Sequence, residues 1–363
     1  MDKPFCTYKI IPSLENSYFI GANTENGFRL TPGGVFDEEN FDRVFILKGG
    51  PGTGKSTFMK KIIKSVEDAG GAAKKYYCSS DPDSLDAVII SVNSKKYLIC
   101  DGTAPHVTEM KYPGAVSKIV NLSPAWDDEK LSSQRDEIIS ISEKKSSCFT
   151  NAYKYLVSAY SVRRTLQSVT NRVCDTEKLK GAVSRFAEKF RKFKGEKHSV
   201  YTEAFSMKGA VAFNTVFKSA DEIYYLSDSY GISELYLKLL SEELKKQGTG
   251  HIEILSPINS DLLSGIYIED AGVLVTHNNY EGELPEGKKV NMKRFLNGTE
   301  LEYRGKYRFA SKCYNALLSG AAECLSEARR KHFELEDIYI AAMNFKKADR
   351  LYRETVSDII PKN

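Results

Sequence analysis

Hydrophobic positions along this chain switch between two periods, and the switches outline its elements. The run Val44-Phe45-Ile46-Leu47 is continuously apolar and predicts a buried strand over 43–47. Beyond a glycine-rich stretch, Phe58, Met59, Ile62, Ile63 and Val66 recur at helical spacing. They predict a helix to about residue 69, closed by Gly70-Gly71. A strand is expected over 75–79. The apolar runs 85–90 and 97–101, separated by Asn93-Ser94, read as a hairpin that ends on Asp101. The pattern is helical over about 131–169 and again over 176–193. Ahead of all this, residues 17–28 read as a short strand and turn.

The same succession returns in the second half of the chain. Residues 199–209 echo 17–27, and 221–226 echo 42–47. The helical run from Leu235, stopping at Gly248, echoes the one that stops at Gly70. Residues 263–268 echo 85–90, 273–277 echo 98–101, and Val290-Asn291-Met292 echoes Val120-Asn121-Leu122. Helices close this half at about 306–330 and 335–359. The expected fold is α/β, with a mainly parallel sheet duplicated in tandem and a helical hairpin appended to each copy. The expected domains are 1–195 and 196–363, with the basic run 189–197 at the boundary. Lysines and arginines interleaved with Phe190 and Phe193 suit a nucleic-acid contact, but they suit a helix end and linker better.

Composition narrows the class. The chain has 363 residues, 41% hydrophobic and 28% charged, which is a globular balance. A net charge of +4 over this length gives no nucleic-acid footprint. No run of apolar residues is long enough for a membrane span, and the first residues lack the apolar core of a signal peptide. A cytoplasmic protein is expected. Its 7 cysteines include no C-x-x-C pair, so they read as reduced thiols and not as a zinc site.

The candidate chemistry lies between the first strand and its helix. Residues 49–56 read G-x-x-x-x-G-K-S, as Gly49, Gly50, Pro51, Gly52, Thr53, Gly54, Lys55 and Ser56, followed by Thr57. Glycines let backbone N–H groups close around phosphate oxygens, and the helix start adds its positive end. Lys55 is expected at the β- and γ-phosphates, Ser56 on Mg²⁺, and Thr57 at the α-phosphate. Asp101, at the end of an apolar strand, is the expected partner for the metal's water shell. Loops at strand C-termini face ligands in such sheets. That makes Asp81, Asp83 and Asp86 candidates for orienting water or an acceptor hydroxyl, although a turn with a cap explains each equally well. Thr103 and His106 are candidates for reaching the γ-phosphate. No glutamate follows Asp101, so fast hydrolysis is not expected. Trp126-Asp127-Asp128-Glu129 reads as a helix start. Arg163, Arg164, Arg329 and Arg330 could serve as arginine fingers, but solvated helix arginines explain them better. In the second half the loop over 227–234 carries no lysine, and its metal-hydroxyl position falls near Glu234. That half reads as nucleotide-incompetent.

With Cys78-Ser79-Ser80-Asp81, Ser84-Leu85-Asp86 and 101–106, the 46–57 segment resembles the Walker A motif of P-loop NTPases. The resemblance extends to a poorly characterised bacterial family of tandem P-loop ATPases. It implies ATP binding with Mg²⁺ and a duplicated architecture. Members of that family can carry a second P-loop, and this chain departs there. The expected function is a slow Mg²⁺-dependent ATPase that couples nucleotide state to its second half, where a protein partner can bind. A small-molecule or nucleotide kinase, and a nucleotide-gated binding module with little turnover, are the alternatives.

Overall fold

The computed structural model describes residues 7–12, 15–103, 109–259 and 261–360. The chain forms two compact units, and each is discontinuous in sequence. One takes 15–20, 34–150 and 324–363, and the other 1–14, 21–33 and 151–323. The division expected from the sequence is 1–195 and 196–363, and the compact units are drawn differently.

The first unit is built on strands β1 (Ser17–Phe19), β2 (Arg43–Lys48), β3 (Ala72–Tyr77), β4 (Leu85–Val92), β5 (Lys95–Asp101) and β6 (Ser117–Asn121). They form one sheet in the order β1-β3-β4-β5-β2-β6. β2 pairs in parallel with β5 and β6, β1 pairs in parallel with β3, and the β3–β4 and β4–β5 pairs are antiparallel. Val44, Phe45, Ile46 and Leu47 are fully buried, which is why that run is apolar without alternation. The β4–β5 hairpin turns at Asn93 and Ser94, both in the left-handed region at φ 52° and 60°, as a tight two-residue turn demands.

The longer helices are α1 (Lys55–Asp68), α2 (Arg135–Val173), α3 (Thr176–Glu188), α4 (Ile232–Lys246), α5 (Glu300–Ala342) and α6 (Phe345–Ile359). α1 buries the five apolar residues read from its periodicity against the first sheet, beside Leu85, Val88, Ile90 and Ile99. Gly70, at φ 77°, ends it, and the Gly71 N–H closes back on the Val66 carbonyl at 2.9 Å. Residues 135–150 of α2 and 324–342 of α5 belong to this unit, and the remainder of each belongs to the other.

The second unit is built on β7 (Lys197–Val200), β8 (Glu222–Ser227), β9 (His251–Leu255), β10 (Leu263–Ile268), β11 (Val273–His277) and β12 (Lys288–Asn291), in the order β7-β9-β10-β11-β8-β12. Order and strand directions match those of the first sheet. The registers match too. Leu47 faces Asp101 and Val120, and Leu226 faces His277 and Val290. Both sheets shift register at the same point, between Tyr76 and Tyr77 and between Ile254 and Leu255. A smaller four-stranded sheet joins Glu203–Ser206, Gly209–Phe213, Tyr8–Ile11 and Tyr280–Glu281.

Three features differ from the sequence expectation. Helix α5 runs unbroken through 330–335, because no breaker stands there and the pairs Arg330–Glu327, Lys331–Glu334 and His332–Glu336 span the stretch. The break falls at Asn344, whose side chain caps α6 by accepting from the Lys347 N–H. The helical hairpins are not appended copy by copy. The short helix on α1 is α6, whose Leu351, Tyr352, Val356 and Ile359 complete the first core. α3 packs instead with α4, through Leu179, Val183 and Ala187. Phe190, from the basic run, is buried in that second core, so its interleaved aromatic is structural. Among the described residues no helix is long and apolar enough to cross a membrane.

Candidate functional site

The glycine-rich loop joins β2 to α1, and its conformation requires its composition. Gly52 and Gly54 have φ of 68° and 86°. A Cβ on Gly49 would lie 2.7 Å from the Thr53 hydroxyl, and one on Gly50 would lie 2.7 Å from the Tyr339 ring. Gly54 occupies the N-cap position of α1, with no side-chain cap on the first-turn N–H groups.

Lys55 folds back over the loop. Its Nζ donates to the Gly49 and Gly50 carbonyls at 2.7 and 2.9 Å and lies 3.6 Å from Asp101 Oδ2. Asp101 is held by its other oxygen, which accepts from the Thr103 N–H at 2.8 Å and the Thr103 hydroxyl at 2.6 Å. Thr103 therefore orients Asp101. The Ser56 hydroxyl accepts from the Leu85 N–H at 3.0 Å, which ties the loop over 78–85 to the helix start. Lys55, Ser56 and Asp101 thus stand at the C-terminal edge of β2 and β5, as their spacing predicts. Among the described residues no group of three or more His, Cys, Asp or Glu side chains is placed to hold a metal. One hydroxyl and one carboxylate suit a cation that keeps most of its waters, as Mg²⁺ does.

The other candidates divide. Asp81 accepts from the Asp83 N–H at 3.2 Å, which makes it a turn-forming residue, and Asp83 is exposed. Asp86 is buried next to Cys78, where burial and the Asp86 charge push the thiol well up. His106 lies outside the described residues. Asp127 caps a short helix, Asp128–Ser133, by accepting from the Lys130 N–H, with Asp128 and Glu129 in its first turn. Arg163 is buried in an ion pair with Glu234, Arg330 pairs with Glu327, and Arg329 lies over the Phe333 ring.

Sequence reasoning missed the residues that come to the loop from far along the chain. Helix α5 lays Glu336, Tyr339 and Ile340 on it. A Cβ on Gly52 would meet the Glu336 carbonyl oxygen at 2.7 Å and Ile340 Cγ1 at 3.0 Å. Helix α5 thereby sets the Glu336 side chain beside Gly52 and within the field of Lys55. His332 Nε2 is 3.4 Å from the same carboxylate, and together with the Gly52 N–H and the Lys55 charge it holds the carboxyl below the usual range. Lys145, on α2, lies within the field of Lys55 and Glu336. Burial, then the Lys55 charge, lowers its ammonium below the usual lysine value. No local signal marks these side chains, since helix periodicity is blind to what a helix meets.

The second sheet carries a related turn before α4. Gly231, at φ 76°, occupies the N-cap position as Gly54 does. Counting from it, Ile232 stands where Lys55 does and Ser233 where Ser56 does, so the hydroxyl position is Ser233 and not Glu234. Asp228 accepts from the Gly231 and Ser233 N–H groups at 3.0 and 2.9 Å. A carboxylate of the chain itself thus takes the donors that a phosphate would need. Comparison with family models, with curated proteins and with solved structures finds no match for this chain.

Proposed function

We propose that this chain is a Mg²⁺-dependent ATP-binding protein of the P-loop class that hydrolyses ATP slowly, with a duplicated second unit that does not bind nucleotide. The observation that carries the reading is the meeting of Lys55 with Asp101, at 3.6 Å, over a loop whose glycines admit no side chain. In this reading Lys55 exchanges the Gly49 and Gly50 carbonyls for phosphate oxygens, and the loop N–H groups take the remaining charge. Ser56 and Asp101 hold the cation, which, when bound, neutralises charge on the phosphate oxygens. Thr103 keeps Asp101 aimed at that position. The test is calorimetric titration of ATP with and without Mg²⁺, joined to phosphate release on the same samples. Binding that needs Mg²⁺, with slow release, is expected. No binding in either condition would remove the proposal.

One observation favours a second reading, a nucleotide-gated module with little turnover. Glu336 stands beside Gly52 and within the field of Lys55, so its negative charge opposes an incoming phosphate. Glu336→Gln is then expected to tighten ATP binding about tenfold. Unchanged affinity would show that the carboxylate does not compete. A kinase reading has less to stand on, because Asp81 is engaged in its turn and Asp83 faces solvent.

A further inference from the structure

We infer that the joint between α5 and α6 is the platform for the nucleobase, with the Phe345 ring as the stacking surface; this rests on the nucleotide reading above. Phe345 is 46% exposed and Ile340 47%, unusual for large apolar side chains set against a functional loop. Both lie against its glycines. Phe345 Cε1 is 3.7 Å from the Cβ position of Gly54, and Ile340 Cγ1 is 3.0 Å from that of Gly52. A nucleotide whose phosphates lie on this loop carries its base only a ribose away, and a base needs what these side chains offer: a flat apolar face next to a charged cradle.

The platform is also fixed in place. The Asn344 N–H donates to the Ala125 carbonyl at 2.6 Å, and the Asp127 N–H donates to the Ala342 carbonyl at 2.9 Å. Lys347 Nζ reaches the Pro124 carbonyl at 3.2 Å. Tyr339 packs edge-on against Trp126, with ring centroids 6.1 Å apart. The joint is thereby locked to the segment that follows β6, the strand beside the loop strand. A stacking surface held this way loses little freedom when a base arrives. Stacking on an aromatic ring is tolerant of base identity. The site is therefore expected to take nucleoside triphosphates as a class, with weak preference between bases.

The experiment compares ATP with inorganic tripolyphosphate, both with Mg²⁺, on wild type, Phe345→Ala and Phe345→Tyr. The expected result is an ATP affinity about tenfold lower in Phe345→Ala, unchanged tripolyphosphate affinity, and wild-type behaviour in Phe345→Tyr. Unchanged tripolyphosphate binding also shows that the variant is folded at the loop. Equal losses for both ligands would overturn the platform, since the effect would then run through the cradle. So would unchanged ATP affinity in Phe345→Ala, or a wild type that binds ATP no more tightly than tripolyphosphate. In that last case the phosphate reading stands without the platform, whereas a wild type that binds neither ligand removes both.

Discussion

Replacing Lys55 with alanine is expected to lower the affinity for ATP with Mg²⁺ about a hundredfold and to bring phosphate release to background. The ammonium is held over the glycine loop by the loop itself, bonded to the Gly49 and Gly50 carbonyls and 3.6 Å from Asp101. Those carbonyls keep it in place without neutralising it. A triphosphate offers full charge instead, and charge-assisted bonds are about twice as strong as neutral ones. Stability should change little, since Asp101 keeps both of its bonds from Thr103. Lys55→Arg is not expected to rescue, because a planar fork does not replace a point charge within so tight a loop. Titration calorimetry and phosphate release on both variants check this. A Lys55→Ala protein that binds ATP like wild type would mean that the loop is not the site.

The second large effect concerns the other unit. Glu203 is fully buried and accepts from Ser264 Oγ at 2.7 Å and from the Tyr280 hydroxyl at 2.5 Å. His277 Nε2 faces it at 3.1 Å. The Asn279 N–H donates to His277 Nδ1 at 3.1 Å. The imidazole packs against both Tyr8 and Tyr280, at 5.6 and 4.5 Å, and those two rings are 6.3 Å from each other. Burial and the Glu203 charge push the Tyr280 phenol well up, so it remains a donor at any ordinary pH. Glu203→Ala removes the acceptor that Ser264 and Tyr280 share, and the expected loss is about 4 kcal/mol of unfolding free energy. Glu203→Gln, which keeps the volume and one acceptor oxygen, is expected to lose about 2 kcal/mol. Urea denaturation followed by circular dichroism measures both. A loss below about 1 kcal/mol in the alanine variant would mean that the network is not structural.

Much of this was legible in the sequence where the signal is local. Phe58, Met59, Ile62, Ile63 and Val66 face the core because helical spacing leaves them no other side. Asn93 and Ser94 mark their hairpin because a two-residue turn needs left-handed backbone. Lys55, Ser56 and Asp101 could be placed together because a strand–loop–helix and a parallel neighbouring strand bring their ends to one edge. Glu336, Tyr339 and Phe345 could not, since they reach the loop only through the course of a long helix. The continuity of α5 was missed because ion pairs at helical spacing carry no apolar period. The Asp81 turn and the burial of Asp86 show the reverse case, where an acidic cluster beside a phosphate loop serves mainly the backbone and the core.

The late position of α6 relative to the first sheet has a consequence for how the protein is made. Ile359 is buried in the same core as Phe45 and Met59, and α6 is fastened there by Lys61 to Asp349 at 2.6 Å, Ser65 to Tyr352 at 2.7 Å and Lys118 to Asp358 at 2.7 Å. Ribosomes add about 5–20 residues per second, so the glycine-loop sheet waits some tens of seconds between its last strand and the helix that closes it. During that interval its apolar face is open, and the nascent chain is a client for holdases. A chain cut short between β6 and α6 would have every loop residue and no finished core.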